Sequence, residues 1–203
     1  IQTFEKLREG DYLYVDKTAL VWRIASTETP YFLSRPRRFG KSHLLSTFEA
    51  YFECKKELFE GLAIADMEKE WKTYPLFHLD LNAEKYDSPQ ALVEILSRQL
   101  TQWELKYGKG EDEETLSGRF AGVIRRACEQ SGRGVVVLVD EYDKPLLQAL
   151  GDDALLDDYR KTLKAFYGVL KSSDRYLRFV FLTGVTKFEH ICVLCDLNQL
   201  IDI

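Results

Sequence analysis

Several things are missing from this chain of 203 residues, and each absence excludes something. No apolar run approaches the ~20 residues of a membrane-spanning helix, so no membrane partner is expected. Positive charge is not in excess. Lys and Arg number 28 against 33 Asp and Glu, and the net charge of −5 gives no overall case for a nucleic-acid surface. Cysteine is sparse: of Cys54, Cys128, Cys192 and Cys195, only the last two are close. A single Cys-Val-Leu-Cys lacks the second ligand pair of a zinc site, so packing is preferred to metal or redox work. The histidines His43, His78 and His190 are scattered and form no metal or nucleophile constellation. There is no internal repeat, no low-complexity tract, no Asn-Lys-x-Asp element of GTP-specific proteins, and no arginine after Thr183. The first residues show no secretory signal pattern, but the chain opens on Ile1 rather than Met, so that counts for little. A cytoplasmic location is expected instead from free thiols. What remains is 45 % hydrophobic and 30 % charged, the balance of a globular domain of ordinary size.

The most informative stretch present is Arg35-Pro36-Arg37-Arg38-Phe39-Gly40-Lys41-Ser42, after the apolar run Tyr31-Phe32-Leu33 and before a segment of helical periodicity. Strand, tight loop with Gly-Lys-Ser, then helix is the layout of a phosphate-binding P-loop. Unpaired N–H groups and a partial positive charge at the helix N-terminus attract phosphate. Lys41 is expected to reach the β- and γ-phosphates and the Ser42 hydroxyl to ligate Mg²⁺. The nucleotide-binding set is Arg37, Arg38, Phe39, Gly40, Lys41, Ser42 and His43, although the His43 side chain reads as a surface or helix-packing group. Arg35, Arg37, Arg38 and Lys41 make a local basic patch that phosphate binding explains. Arg35 stands where the common P-loop pattern has Gly.

A second motif points the same way. Val135-Val136-Val137-Leu138-Val139 is an unbroken apolar, β-branched run, suited to a central parallel strand buried on both faces. Asp140-Glu141 follows it, as a Walker B site requires. Asp140 would hold Mg²⁺, through water, and Glu141 would orient or deprotonate the attacking water. In open α/β sheets ligands bind outside the carboxyl ends of the strands, where both motifs would lie.

Along the chain, residues 1–30 form a lead-in and residues 31–203 the core. Residues 11–17 are expected as a short extended piece and residues 18–25 as a helix. Leu44, Leu45, Phe48, Tyr51 and Phe52 make one apolar helix face after the loop. Residues 75–82 read as a strand. A helix follows over about 88–107, with Ser88 as N-cap and Pro89 at N1. Residues 108–114 read as a surface loop, and Leu116, Phe120, Val123, Ile124 and Ala127 mark the next helix. After the valine-rich strand come a helix over 155–170 and a strand over 176–182. The closing apolar stretch reads as the start of a fifth strand, with truncation suspected. Strands alternating with helices predict an α/β fold, a mostly parallel sheet covered on both faces.

Four stretches taken together resemble one family. These are Leu7-Arg8-Glu9-Gly10 with Tyr14-Val15-Asp16-Lys17-Thr18, the loop from Phe32 to Ser42, Asp140-Glu141-Tyr142-Asp143-Lys144-Pro145, and Phe181-Leu182-Thr183-Gly184-Val185-Thr186-Lys187-Phe188. They resemble the AAA-ATPase-like domain of bacterial proteins over essentially the whole chain, and an Arg at position 35 is what that family shows. The resemblance implies a three-layer P-loop NTPase of ASCE type, with an extra strand between the P-loop and Walker B strands. Full-length members commonly continue into a PD-(D/E)XK nuclease-like domain, through which nucleic acid would enter. The loop is also similar to the Pro-Arg-Arg-x-Gly-Lys loop of archaeal-type and STAND-like ATPases.

Further candidates have two readings. Thr183 is either a polar sensor of the γ-phosphate or a strand-terminal cap of Gly184. Asn82 is either a switch bonded to Glu141 or an Asx-turn residue. Asp143 is preferred as the N-cap of a helix at Pro145. Asp80 lies on the same side of its strand as Asn82. Arg175 and Arg178 precede the last core strand and read as surface groups. An arginine finger would then have to come from sequence beyond this stretch, a protein partner or another copy. The expected activity is Mg²⁺-dependent ATP binding and hydrolysis, as the regulatory or motor part of a larger nuclease-associated protein. The alternative is a nucleotide-binding regulatory or interaction module with little turnover. A P-loop kinase would need a substrate-binding Asp or Arg on a lid, and none is identifiable.

Overall fold

The computed structural model describes residues 3–82, 84–185, 194 and 200–203. Its elements run α1 (Phe4–Glu9), α2 (Thr18–Ala25), β1 (Tyr31–Ser34), α3 (Lys41–Phe52), α4 (Ala63–Met67), β2 (Leu76–Asp80), α5 (Pro89–Tyr107), α6 (Leu116–Ser131), β3 (Val135–Asp140), α7 (Lys144–Gln148), α8 (Asp153–Ser172), β4 (Leu177–Gly184) and β5 (Ile201–Asp202). Short 3₁₀ turns occur at Lys56–Phe59 and Asp174–Tyr176. The strands form one sheet in the order β2-β3-β4-β1-β5, with every pairing parallel. β4 is inserted between β1 and β3, and β5 extends the sheet beyond β1, as expected of the closing stretch.

The valine-rich strand lies inside, and all six residues of β3 are buried. Its period of two divides them between two cores. Val135, Val137 and Val139 face α5, α6 and α8, where Phe77 stacks on Trp103 and Phe120 on Phe166. Val136 and Leu138 face α3, joined by Phe179 and Phe181 of β4, against which Phe48 packs.

Helix starts follow their caps. Ser88, Thr115 and Asp152 each accept an N–H from the first turn of α5, α6 and α8. α3, like α1, α2, α4 and α7, has no side-chain cap from its N-cap residue, Gly40, and its first N–H groups are left for something else.

The expectations for Arg178 and Asp143 need correction, and two others gain tertiary detail. The short extended piece expected over residues 11–17 joins no strand of the sheet. Their work is tertiary: Asp16 and Thr18 accept the Ala63 and Ile64 N–H groups and so cap α4, which has no cap of its own. Arg178 lies within β4, not before it. Its guanidinium donates to the Ala25 and Thr27 carbonyls and satisfies the end of α2. The stretch over 108–114 is the surface loop expected, and an ion pair pins it. Glu113 is gripped by both terminal nitrogens of Arg126 at 2.5 and 2.8 Å, and its carboxylate lies where a Cβ on Gly122 would stand. Asp143 occupies the N-cap position of α7 but gives no side-chain cap; its carboxylate instead accepts the Val185 N–H at 2.9 Å, from beyond the end of β4. Thr186, Lys187, Phe188, His190, Cys192 and Cys195 lie outside the described residues. Among the described residues no helix is long and apolar enough to cross a membrane.

Candidate functional site

Because the strands are parallel, their C-terminal ends share one edge of the sheet. Asp80 is in register with Asp140, and Ser34 with Gly184. The glycine-containing loop, the acidic pair and Thr183 therefore meet there by topology.

The loop over 35–40 leaves β1 and turns twice through left-handed backbone, at Arg38 (φ 69°) and Gly40 (φ 78°). Gly40 is required by its φ and not by crowding, since a Cβ there would touch nothing. Arg35, Arg37, Arg38, Phe39 and Gly40 are exposed. The Arg35 N–H donates to the Gly184 carbonyl at 3.2 Å, tying the loop to the end of β4. Lys41 points inward and is only 4 % exposed. Its ammonium donates to the Arg35 and Pro36 carbonyls at 2.8 and 3.2 Å and lies 3.2 Å from Glu141 Oε1. The next residue, Ser42, is exposed. His43 is half-buried, with its ring against Phe4 and Tyr14 of the lead-in, and burial lowers its pKa. Its side chain thus serves helix packing, one of the two roles expected of it.

At the end of β3, Asp140 and Glu141 are nearly buried. Glu141 has φ 54°, a left-handed conformation uncommon for a residue with a side chain. Thr183, fully buried, contacts both. Its hydroxyl donates to Asp140 Oδ1 at 2.6 Å and accepts the Glu141 N–H at 3.3 Å, while its carbonyl accepts the Tyr142 N–H at 2.8 Å. Thr183 does not cap Gly184 through its side chain. Gly184 has a different constraint: a Cβ there would stand 2.5 Å from the Tyr142 ring. Sequence reading assigned Gly184 and Tyr142 no role, and only the juxtaposition Thr-Gly at a strand end hinted at one.

Asn82 is exposed, and its N–H donates to Asp80 Oδ1 at 2.8 Å. Asp80 is therefore the acceptor of the turn. Among the described residues no hydrogen bond joins Asn82 to Glu141. Behind the edge, His78 Nδ1 lies 3.4 Å from Glu49 Oε2 of α3, a pair that spacing did not foretell. Burial opposes His78 protonation, but Glu49, with Asp140 and Asp80 beyond, outweighs it and raises the pKa.

A hydroxyl and a carboxylate, as at Ser42 and Asp140, are the donor type a hard divalent cation takes. Among the described residues, Ser42 Oγ and Asp140 Oδ2 make no hydrogen bond, and no group of three or more His, Cys, Asp or Glu side chains could hold a metal alone. Two protein oxygens completed by phosphate and water are what Mg²⁺ usually takes. A separate cavity of about 270 Å³, lined by Trp22, Tyr51, Glu68, Tyr74 and Arg178 among others, lies at the opposite edge of the sheet. Glu68 there already accepts hydrogen bonds from Tyr51 Oη, Trp22 Nε1 and the Glu70 N–H.

A family model described as a predicted AAA-ATPase matches residues 1–193. A curated relative, an uncharacterized protein in the vnfD 5′ region of Azotobacter chroococcum mcd 1, is 40 % identical over 204 residues. That alignment covers all of this chain and 40 % of the relative, so the chain spans about two fifths of the relative's length.

Proposed function

The chain belongs to the AAA-ATPase-like family, and from that premise we propose that it binds ATP with Mg²⁺ and hydrolyses it at the edge formed by the loop over 35–40, Asp140, Glu141 and Thr183. One observation carries the reading. Lys41, on the first turn of the uncapped helix, lies 3.2 Å from Glu141, which follows a buried central strand. A phosphate-binding cation and a candidate base thus share one small volume, although 100 residues separate them in the chain (141 − 41).

The chemistry follows from what these groups can do. The free N–H groups at the start of α3 and the ammonium of Lys41 bind the β- and γ-phosphates. Ser42 Oγ and Asp140 would hold Mg²⁺, which when bound offsets the charge of the phosphates. As Lys41 turns to the γ-phosphate it releases Glu141. The freed carboxylate accepts a proton from water, the water oxygen attacks the γ-phosphorus, and the β–γ bridging oxygen leaves with its electron pair on ADP. The absence of an Asn-Lys-x-Asp element supports ATP over GTP.

The same contact also favours a second reading, a nucleotide-binding regulatory module with little turnover, because Lys41 occupies Glu141 while the two remain paired. An arginine supplied by a partner or a second copy would then raise the rate, by about 10³–10⁵-fold where such fingers act. In a longer protein this ATPase would drive or gate a further activity. A nuclease acting on nucleic acid is the partner we propose.

Phosphate release by the wild type, Lys41→Ala and Glu141→Gln separates the readings. Hydrolysis predicts release by the wild type only, with Glu141→Gln still binding ATP. Equal, negligible release by all three, with ATP bound by the wild type, leaves the regulatory module. No heat and no thermal shift with Mg·ATP removes both.

A further inference from the structure

Thr183, the penultimate residue of β4, offers a hydroxyl near the expected γ-phosphate, and the obvious assignment is a phosphate sensor. Its bonding argues otherwise. A threonine hydroxyl has one proton to give. Thr183 gives it to Asp140 Oδ1 at 2.6 Å, a short charge-assisted bond, and the residue is fully buried. No second donor remains for a phosphate. The same oxygen accepts the Glu141 N–H at 3.3 Å, and the Thr183 carbonyl accepts the Tyr142 N–H at 2.8 Å. Three consecutive residues, Asp140, Glu141 and Tyr142, are thereby tied to one residue of the neighbouring strand.

We infer that Thr183 is a positioning residue: its hydroxyl orients the Asp140 carboxylate toward a bound cation and holds the left-handed backbone of Glu141. This rests on the nucleotide reading above. Fixing Oδ1 stops the carboxylate from rotating and leaves Oδ2 as the oxygen that can face Mg²⁺. Holding Glu141 at φ 54° sets the direction in which its side chain leaves the strand, toward Lys41 at 3.2 Å. Valine matches threonine in shape but cannot make either side-chain bond. Serine keeps both.

The test compares Thr183→Val and Thr183→Ser with the wild type. Binding of a fluorescent ATP analogue is followed with excess EDTA and during Mg²⁺ titration, and ATP-over-ADP discrimination and thermal melting are recorded in parallel. Removing a group that orients a metal ligand typically weakens metal binding about 10–100-fold, so Thr183→Val should raise the half-saturating Mg²⁺ at least about 10-fold while Thr183→Ser stays within about threefold. Affinity in EDTA should be unchanged in both. A valine variant with wild-type Mg²⁺ dependence overturns the assignment. So does one whose only defect is lost ATP-over-ADP discrimination, which makes Thr183 a sensor. Should Thr183→Val fail to fold, Thr183→Ser decides alone, and a 10-fold or larger loss of Mg²⁺ response in it overturns the assignment. Wild-type binding that ignores Mg²⁺ defeats only the role of Thr183. No binding by the wild type under any condition defeats the nucleotide reading itself.

Discussion

Two buried ion pairs, one at the sheet edge and one between helices, are built differently. Arg119 of α6 grips Glu104 of α5 with both ends of its fork, at 2.8 and 2.7 Å, and gives its remaining reach to Ser97 Oγ and Thr101 Oγ1. The hydrogen bonding of Arg119 outweighs burial and holds the Glu104 pKa below its ordinary value. Lys41 and Glu141 are as deeply placed, with side chains 3 % and 11 % exposed, yet share one 3.2 Å contact. A planar fork matched to a carboxylate has one good geometry, whereas an ammonium is a point charge that trades acceptors readily. The first pair is built to stay closed. Under the proposed function the second would be exchanged, with phosphate oxygens replacing both Glu141 and the loop carbonyls around Lys41.

This contrast can be broken at either pair. The largest effect is expected at the exchangeable one: Glu141→Gln should lower phosphate release by about 10²–10⁴-fold, the usual contribution of a positioned base, while ATP binding survives. Its melting temperature should move little, and a large drop would show the pair to be structural. At the closed pair the pattern reverses. Arg119→Leu leaves Glu104 buried without its partner and should cost about 3–5 kcal/mol in urea unfolding, with nucleotide affinity of the folded protein unchanged. The double variant with Glu104→Leu should recover much of that loss; no recovery would mean that packing, not charge, was removed.

A smaller effect is expected at the wall of the site. Gly184→Ala places a methyl 2.5 Å from the Tyr142 ring and should cost about 1–3 kcal/mol, read by thermal or urea melting. The smallest is a pH effect at His78 and Glu49. His78 has a raised pKa, so its contribution is full below its ordinary value of 6.5 and is lost as pH rises through the higher folded value. Glu49 has a lowered pKa, set by its hydrogen bond from His78 against the cost of burial. Its contribution is full above 4.5 and is lost on acidification through the lower folded value. The stability gap between wild type and His78→Leu should therefore be greatest between pH 4.5 and 6.5 and shrink above, by about 0.5–1 kcal/mol for a partly exposed pair.

Particular residues show where legibility stopped. Thr18–Ala25 is the helix its pattern predicted, and α5 starts after Ser88 at Pro89, because caps and apolar faces act within one or two turns of chain. Arg178 looked like a surface group because its acceptors, Ala25 O and Thr27 O, are more than 150 positions away. Asp16 read as part of an extended piece and Thr18 as the start of a helix, and their task, capping α4, lies 46–47 residues downstream. The Asp143 reading chose the nearest helix, whereas the carboxylate bonds across to Val185, 42 residues on. At the site, Gly40-Lys41-Ser42 and Asp140-Glu141 were legible because each motif is contiguous. The bonds of Thr183 were not, since nothing local says which neighbour receives a hydroxyl proton.

The order of residues alone determined where strands and helices form, which face of each is apolar, and that a phosphate-type loop and an acidic strand end exist, because these depend on period and on neighbours a few positions apart. The resemblance implied an extra strand between the P-loop and Walker B strands, and only the tertiary structure decided that β4 is that strand. That placement brings Thr183 beside Asp140 and sets Lys41 against Glu141, since parallel register aligns strand ends that the chain itself keeps far apart.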